Sequence, residues 1–343
     1  MRVRLPLLGL LVLGLAAPPA WAQSDLTETL EEVGEAYARA YVKPLADAIG
    51  ADLNGALFHT AYAERLGFNL FIGVRTSALY IPDADQTFDL TFSGTATLTV
   101  DVGPDLVEVD VPATFEVRGA PTIFGEEAPP GGIATVRYDT TLSYLGLSIP
   151  VSLDTTITDV RTIGGLLKTS FAPLAVPHAR LGSILGTDLI VRWLPAISVP
   201  DYGSVELIGL GLRHSMSPYL GDRYADIGLQ VMWQRMQVDD DADASVITAD
   251  AFAANLHLSR QWGPLILYTG LQVEESTVRF QYNFLPEDDR ADIDPIAVDF
   301  KLSGGLKQRV IGGFTLAPGP LRLSAGVSVG ELLVLSAGLG VAF

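Results

Sequence analysis

The chain has 343 residues, a mean hydropathy of +0.32 and no cysteine. Its 40 acidic and 22 basic residues give a net charge of −18, which excludes nucleic acid as a partner because phosphates demand a basic surface. The absence of cysteine excludes disulfides, thiolate metal sites and lipid attachment at a cysteine.

The chain begins with the pattern of a secretory signal peptide. Arg2 and Arg4 precede an apolar stretch at residues 5–17, and the Ala-Trp-Ala sequence at residues 20–22 fits a cleavage site. We therefore predict that residues 1–22 are removed on export. The remaining chain has no apolar run of the roughly 18 residues that a membrane helix needs, so its hydrophobicity is spread over shorter segments.

Residues 26–50 are predicted to form an amphipathic helix. Apolar side chains recur there every three or four positions, and acidic residues lie near the start, where the helix dipole favours them. Pro44 predicts the start of a second short helix, because proline fits the first helical turn. We assign residues 23–63 to an N-terminal helical segment in the periplasm or in the lumen of a barrel. Tyr37 and Tyr41 are candidates for closing this lumen or contacting a hydrophobic ligand, and helix packing alone also explains them.

From residue 66 the apolar residues recur at every second position, which is the period of a β-strand. Many of these segments combine an apolar face with a polar or charged face, which suits a wall between lipid and water. We therefore predict an all-β protein in which residues 64–343 form a transmembrane antiparallel β-barrel. It has about 14 strands, or 12 if two irregular ones merge. The predicted strands begin near residues 66, 87, 106, 133, 149, 170, 186, 204, 224, 250, 264, 297, 320 and 333.

The connections follow the rule for outer-membrane barrels, which have short periplasmic turns and long external loops. Compact turns with glycine and proline follow the even-numbered predicted strands, and long segments, two of them strongly acidic, follow the odd-numbered ones. The last strand, residues 333–343, ends in an aromatic residue, as in the closing strand of bacterial outer-membrane barrels. These features predict the bacterial outer membrane as the location, with lipid and lipopolysaccharide around the barrel. They also predict the barrel-assembly machinery as a partner through the strand that ends in Phe343.

Three stretches of the sequence stand out, namely YVKP at 41–44 with NGALFHTA at 54–61, GTDLIVRWLP at 186–195, and GLGLRH at 209–214. They resemble a family of uncharacterised outer-membrane proteins that is defined only as a domain of unknown function. This resemblance implies a barrel and no established activity. The plan of an N-terminal plug followed by about 14 strands is more distantly similar to the long-chain fatty acid transporter (FadL-type) family, whose N-terminal sequence signature is absent here.

Four arginines fall on the predicted inner faces of the strands. A charge on the lipid face would cost about 2–4 kcal/mol at the membrane midplane, so inward placement is preferred. These side chains either tie facing walls together or orient an anionic headgroup, and the sequence favours the structural role. The candidates are Arg75, Arg192, Arg213 and Arg322, with Asp188, Glu206 and Glu274 as partners.

His257 and Ser259 lie two residues apart and therefore share a strand face. The arrangement is similar to the His-x-Ser of outer-membrane phospholipases, in which a histidine activates a serine nucleophile. Those enzymes present the pair to lipid, whereas Leu256 and Leu258 take the predicted lipid face here. We interpret His257 as polar lining of the lumen, and we predict no enzyme activity and no cofactor.

The acidic run at residues 239–250 has carboxylates at positions 1, 3, 5 and 12 of a calcium-loop spacing. The glycine needed at position 6 is Ala244, and no helix is predicted beside the run. The sequence therefore favours a solvated loop, with Asp239, Asp241 and Asp243 as the candidate ligands of a metal.

Two functions follow from these observations. The first is an outer-membrane channel or transporter for small hydrophobic molecules, gated by the N-terminal helical segment. The second is a closed structural barrel whose acidic loops contact lipopolysaccharide or a protein partner.

Overall fold

A computed structural model describes residues 23–101, 106–126, 132–144, 147–160, 164–167, 169–199, 203–220, 224–240, 244–284 and 296–343. The described chain contains one α-helix and 15 β-strands, and it divides into two compact units. No described helix is long and apolar enough to cross a membrane. The predicted signal peptide lies outside the described residues.

The helix α1 spans Gln23–Leu53 and continues through Pro44, where the sequence predicts a second helix to begin. The helical nature of this region is confirmed, and the predicted break is wrong. The boundary between the two units falls within α1, because Pro44 ends the first stretch of one unit and Leu45 begins the other.

Fifteen strands follow the helix, and all but one lie close to a predicted strand. The missed strand is β13, which contains the adjacent Gly312 and Gly313, a composition typical of a turn. The strands are β1 Leu66–Tyr80, β2 Thr87–Asp101, β3 Leu106–Pro121, β4 Gly132–Tyr144, β5 Leu147–Val160, β6 Phe171–Ile184, β7 Thr187–Val199, β8 Gly203–Ser215, β9 Asp226–Asp239, β10 Ser245–Trp262, β11 Leu265–Phe284, β12 Ile296–Ser303, β13 Gln308–Leu316, β14 Leu321–Gly330 and β15 Leu333–Ala342.

The second unit, Leu45–Ile81 with Ser170–Phe343, is a closed antiparallel ring of ten strands over the described residues. The ring closes because β1 pairs with both β6 and β15, and β11 pairs with both β10 and β13. The strand β12 pairs with β11 alone. The predicted antiparallel barrel is therefore confirmed, with ten strands in the ring instead of about 14. The ring order is β1, β6, β7, β8, β9, β10, β11, β13, β14 and β15.

The strands β2 to β5 form a separate four-stranded sheet in the first unit. Their predicted place in the barrel wall, and with it a single barrel over residues 64–343, is wrong. Alternation shows that a strand has one apolar face, but it does not show whether that face meets lipid or a neighbouring element. Here apolar side chains of the sheet pack with a helix residue. The core contains Tyr37, Phe88, Phe92, Val117 and Ala120.

The outer face of the ring is apolar and its inner face is polar. Along β8, Ile208, Leu210 and Leu212 are about half exposed, whereas Arg213 is buried. Monomeric soluble proteins rarely expose a continuous apolar surface of this extent. Other outward side chains are Ile72, Val74, Leu189, Trp193, Leu229, Val231, Leu256, Leu258, Leu271, Val273, Val327, Val329, Leu335 and Leu339.

Candidate functional site

The lumen of the ring is filled by a segment that we call the plug, residues 45–63. The plug begins with the end of α1 and continues without helix or strand from Asn54 until β1. Its side chains are largely buried, and Leu53, Leu57 and Phe58 are each at most 4% exposed. Because irregular backbone away from water needs partners for its polar groups, the wall must supply them.

The plug crosses the lumen from one rim of the ring to the other. At one rim, the carboxylate of Asp47 accepts a hydrogen bond of 2.6 Å from the backbone N–H of Gly305, between β12 and β13. The plug then leads into β1 at the opposite rim, where the backbone N–H of Leu70 donates to the carbonyl of Phe343 at 3.1 Å. The predicted helical segment therefore lies partly in the lumen.

Arg75 of β1 holds the middle of the plug. Its Nε donates to the carbonyl of Ala56 at 3.0 Å, and its Nη2 donates to the carbonyl of Phe58 at 2.8 Å. Its Nη1 donates to Ser324 Oγ on the wall at 3.2 Å. One guanidinium thus fixes two carbonyl groups of irregular backbone against β14.

Arg192 and Arg309 hold the end of the helix. Arg192 Nη1 donates to the carbonyl of Leu53 and to Gln234 Oε1, both at 2.8 Å, and Gln234 Nε2 donates to the same carbonyl. Arg309 Nη2 donates to the carbonyl of Ala51 at 2.9 Å. The last carbonyls of an α-helix have no partner within the helix, so these side chains cap it.

Arg213 of β8 holds the far end of the plug. Its Nη1 donates to the carbonyl of Thr60 at 2.7 Å, and its Nη2 donates to the carbonyl of Tyr62 at 3.0 Å. Asp188 forms a buried ion pair with Arg213, and Arg180 Nε lies 3.7 Å from the same carboxylate.

Four arginines therefore contact the plug in the order of its sequence, from residue 51 to residue 62. We call Arg309, Arg192, Arg75 and Arg213 the arginine ladder. Neutral wall side chains complete the contacts with the plug carbonyls. These bonds join Ser77 to Asp52 (2.9 Å), Gln272 to Asn54 (2.9 Å), Gln230 to Leu57 (3.3 Å) and Thr315 to His59 (3.1 Å).

A second buried ion pair lies at the end of the ladder that Arg309 forms. Arg309 Nε donates to Glu274 Oε2 at 2.8 Å, and Arg309 Nη2 contacts the other carboxylate oxygen. Each of the two side chains is only 1% exposed. This carboxylate orients the guanidinium that caps α1.

Apolar contacts fill the remaining space. The ring of Phe58 stacks on His257 with centroids 4.3 Å apart and meets Tyr268 edge-on at 5.7 Å. A cavity of only about 10 Å³ lies beside residues 54–58, which is room for about one water molecule. The plug closes the lumen in this structure. The apolar cluster contains Leu57, Phe58, Ile190, Met232, Ala253 and Tyr268.

The whole chain, residues 1–343, matches a family of unknown function, DUF6588. The chain belongs to the DUF6588 family. The prediction that the chain belongs to a family of unknown function is therefore confirmed. No curated protein matches this DUF6588 chain.

Solved structures similar to the DUF6588 chain include an outer-membrane protein of Vibrio cholerae and proteins of two other bacteria. OccAB2 of Acinetobacter baumannii is 10% identical, covering 82% of this chain and 99% of its own, with a TM-score of 0.23. OmpT of Vibrio cholerae is 10% identical, with coverages of 81% and 100% and a TM-score of 0.22. OccK8 of Pseudomonas aeruginosa is 10% identical, with coverages of 82% and 99% and a TM-score of 0.21. TM-scores this low do not establish a shared fold, and the similarity to FadL-type transporters is not shown.

The structure brings three of the predicted site arginines into the DUF6588 lumen, namely Arg75, Arg192 and Arg213. Arg322 does not join them, because its Nη1 donates to the carbonyls of Gly319 and Leu321 in its own turn. Arg309, the fourth member of the ladder, was not predicted from the sequence. Its strand, β13, was not predicted, so its face was unknown.

Tyr37 and Tyr41 belong to the first unit. The Tyr41 hydroxyl donates to the carbonyl of Gly164 at 2.9 Å, and the ring of Tyr37 meets Phe88 edge-on at 5.0 Å. Packing within the first unit occupies both tyrosines. Their predicted role in closing the lumen stays a prediction.

His257 is completely buried on the inner face of β10, and its Nδ1 lies 2.8 Å from Asn255 Oδ1. Ser259 Oγ accepts a hydrogen bond of 2.8 Å from the backbone N–H of Ala61. The plug therefore covers both His257 and Ser259, the two side chains that resemble a nucleophile pair in the sequence. In this arrangement they line the lumen and bind the plug.

The candidate metal ligands are only partly described. Asp239 Oδ1 accepts a hydrogen bond of 3.0 Å from Gln237 Nε2. Asp241 and Asp243 lie outside the described residues. Within the part of the chain that the structure describes, no group of three or more acidic or histidine side chains could hold a metal ion.

Asp52 is a plug residue with an unusual environment. It is 3% exposed, and its Oδ1 has no hydrogen-bond partner among the described residues. A buried acceptor without a hydrogen bond costs about 1–3 kcal/mol, so this carboxyl lowers the stability of the closed lumen.

Proposed function

We propose that this protein is a β-barrel of the bacterial outer membrane whose lumen is a channel closed by the plug. The apolar outer face of the ring supports a place in lipid, because a closed barrel satisfies every strand hydrogen bond there. On this proposal, cell fractionation recovers the protein with lipopolysaccharide-containing membranes. Recovery in the soluble periplasm would contradict it.

The observation that carries the channel proposal is that a polar wall binds the backbone of the plug. Wall arginines, glutamines and hydroxyls donate to plug carbonyls along the whole lumen. Water can replace a backbone carbonyl as a partner for each of these donors. If the plug leaves, water can therefore hydrate the polar part of the wall, and the apolar cluster around Phe58 is the part that loses its packing partner.

The same lining indicates whether the transported molecule is polar or hydrophobic. The inner face presents guanidinium, amide and hydroxyl groups to the plug, and these groups favour polar solutes over the small hydrophobic molecules predicted from the sequence. The hydrophobic substrate stays a prediction.

A closed structural barrel is the second candidate. Its support is the number of contacts that hold the plug, including two buried ion pairs on the wall. In that case the plug never leaves, and contact with lipopolysaccharide or a protein partner would be the function. An experiment on plug movement separates the two candidates.

A disulfide between plug and wall tests the gate. Thr60 Oγ1 and Ser259 Oγ are 3.4 Å apart, and the natural chain has no cysteine that could interfere. The disulfide is introduced with Thr60→Cys and Ser259→Cys, since sulfur atoms at these positions need only a small movement to bond. The background is a loosened-plug variant, Leu57→Ala with Phe58→Ala, because truncating buried side chains weakens the apolar hold on the plug.

In planar lipid bilayers, we expect the reduced protein to conduct and the oxidised protein to lose most of its conductance. Reduction should restore it, because only the position of the plug has changed. Thr60→Cys alone, on the same background, is the matched control and should not respond to oxidation. No conductance in the reduced state would favour the closed barrel, and conductance unaffected by a complete crosslink would exclude the plug as the gate.

A further inference from the structure

The charge of the inner wall is opposite to the charge of the chain. The chain has a net charge of −18, yet the buried charged side chains on the described ring strands are five arginines and two carboxylates. The carboxylates, Asp188 and Glu274, are each paired with an arginine. The wall therefore keeps an excess of three positive charges in the lumen when the plug is absent.

The arginine ladder holds an oxygen atom at every step. Each of its four guanidinium groups donates to at least one carbonyl oxygen between Ala51 and Tyr62. The planar guanidinium presents a fork of N–H donors that matches the two oxygens of a carboxylate or phosphate. The plug carbonyls occupy the positions that the oxygens of such an anion would take.

Two ladder arginines also keep donors that the plug does not use. Arg192 Nε and Nη2 and Arg213 Nε are buried and have no hydrogen-bond partner among the described residues. Buried donors are usually paired, so unpaired guanidinium nitrogens need an explanation. Acceptors that arrive with a solute would satisfy them.

We infer that the channel selects small anions that carry carboxylate or phosphate groups, which pass along the arginine ladder in place of the plug. This inference rests on the proposed function and names the class of solute. The ladder runs from one rim to the other, so an anion released by one guanidinium meets the next. A low-dielectric wall focuses the field of these charges on the path and raises the local concentration of anions.

The first test is the ion selectivity of the full-length loosened-plug variant in bilayers with a potassium chloride gradient. We expect chloride to permeate over potassium by about threefold or more, because the lumen carries excess positive charge. Arg75→Gln or Arg192→Gln on this background should lower the ratio. Arg235→Gln is the matched control, because Arg235 is half exposed and pairs with Asp250 away from the lumen.

The second test does not depend on conductance. A single Thr60→Cys in the otherwise intact chain reports on the plug through its rate of labelling by a maleimide. We expect phosphate and citrate to raise that rate severalfold over chloride at equal ionic strength, because they compete with the plug carbonyls for the ladder. A response to citrate alone or to phosphate alone identifies the carboxylate or the phosphate as the preferred group.

The outcomes separate the inference from the function. A conducting but unselective or cation-selective pore overturns the inference and leaves the channel intact. The absence of conductance overturns the channel, and the labelling experiment then decides whether the ladder binds oxyanions. Equal labelling rates in phosphate, citrate and chloride would show that it does not.

Discussion

Replacing Arg75 with alanine is expected to release the middle of the plug and to destabilise the barrel by about 3–6 kcal/mol. The substitution removes the donors to the carbonyls of Ala56 and Phe58, both of which lie in the closed lumen. A buried acceptor left without a partner costs about 1–3 kcal/mol, and the loss of packing around the side chain adds to this. Thermal unfolding in detergent measures the stability, and limited proteolysis of residues 45–63 measures the release of the plug.

The control for Arg75→Ala is Arg235→Ala. Arg235 is an arginine of the same ring, but its side chain is 50% exposed and pairs with Asp250 on the surface. An exposed ion pair contributes about 0–1 kcal/mol, so this variant should unfold and resist protease nearly as the wild type does. Equal losses in the two variants would mean that Arg75 does not act through the plug.

Replacing Glu274 with alanine is expected to cost about 3–5 kcal/mol, because it leaves Arg309 as an unpaired charge inside the ring. Both side chains of this pair are 1% exposed. The cap on the carbonyl of Ala51 should weaken as well, since Glu274 orients the guanidinium that forms it. Chemical denaturation of the folded protein in detergent gives the free energy of unfolding.

A matched control for this pair lies between β11 and β12. Arg279 and Asp299 form the same kind of contact between neighbouring strands, but their side chains are 41% and 46% exposed. Asp299→Ala should therefore cost less than about 1 kcal/mol. The double variant Glu274→Leu with Arg309→Met should recover much of the loss, because two apolar groups leave no buried charge. If it is less stable than Glu274→Ala alone, the cost does not come from the unpaired charge.

Much of the site followed from strand periodicity. Arg75, Arg192 and Arg213 each lie opposite an apolar face in a two-residue repeat, so their inward placement needed no knowledge of the strand order. His257 follows the same rule, with Leu256 and Leu258 facing outwards. What these side chains bind was not predictable, because their partners are backbone carbonyls of a distant segment that carries no sequence signal for this contact.

Other features depended on which strands pair. Apolar and polar residues alternate along β2 as regularly as along any strand of the ring. Its residues Phe88 and Phe92 nevertheless pack in the first unit. Arg309 lies in β13, and the two adjacent glycines of this strand are a composition typical of a turn. In both cases the local pattern fits two structures, and only pairing with distant strands selects one of them.

The sequence by itself determined that the chain is largely β-structure with two-faced strands and an N-terminal helix. Both properties come from the spacing of apolar residues over a few positions, which is a local quantity. The tertiary structure decided that ten strands close the ring, that β2 to β5 form a separate sheet, and that the plug fills the lumen. Ring closure joins β1 to β15, and the ladder joins the plug to strands up to 258 residues away. Contacts of that range form only when all strands and the plug find their hydrogen-bond partners together. No short stretch of sequence specifies them.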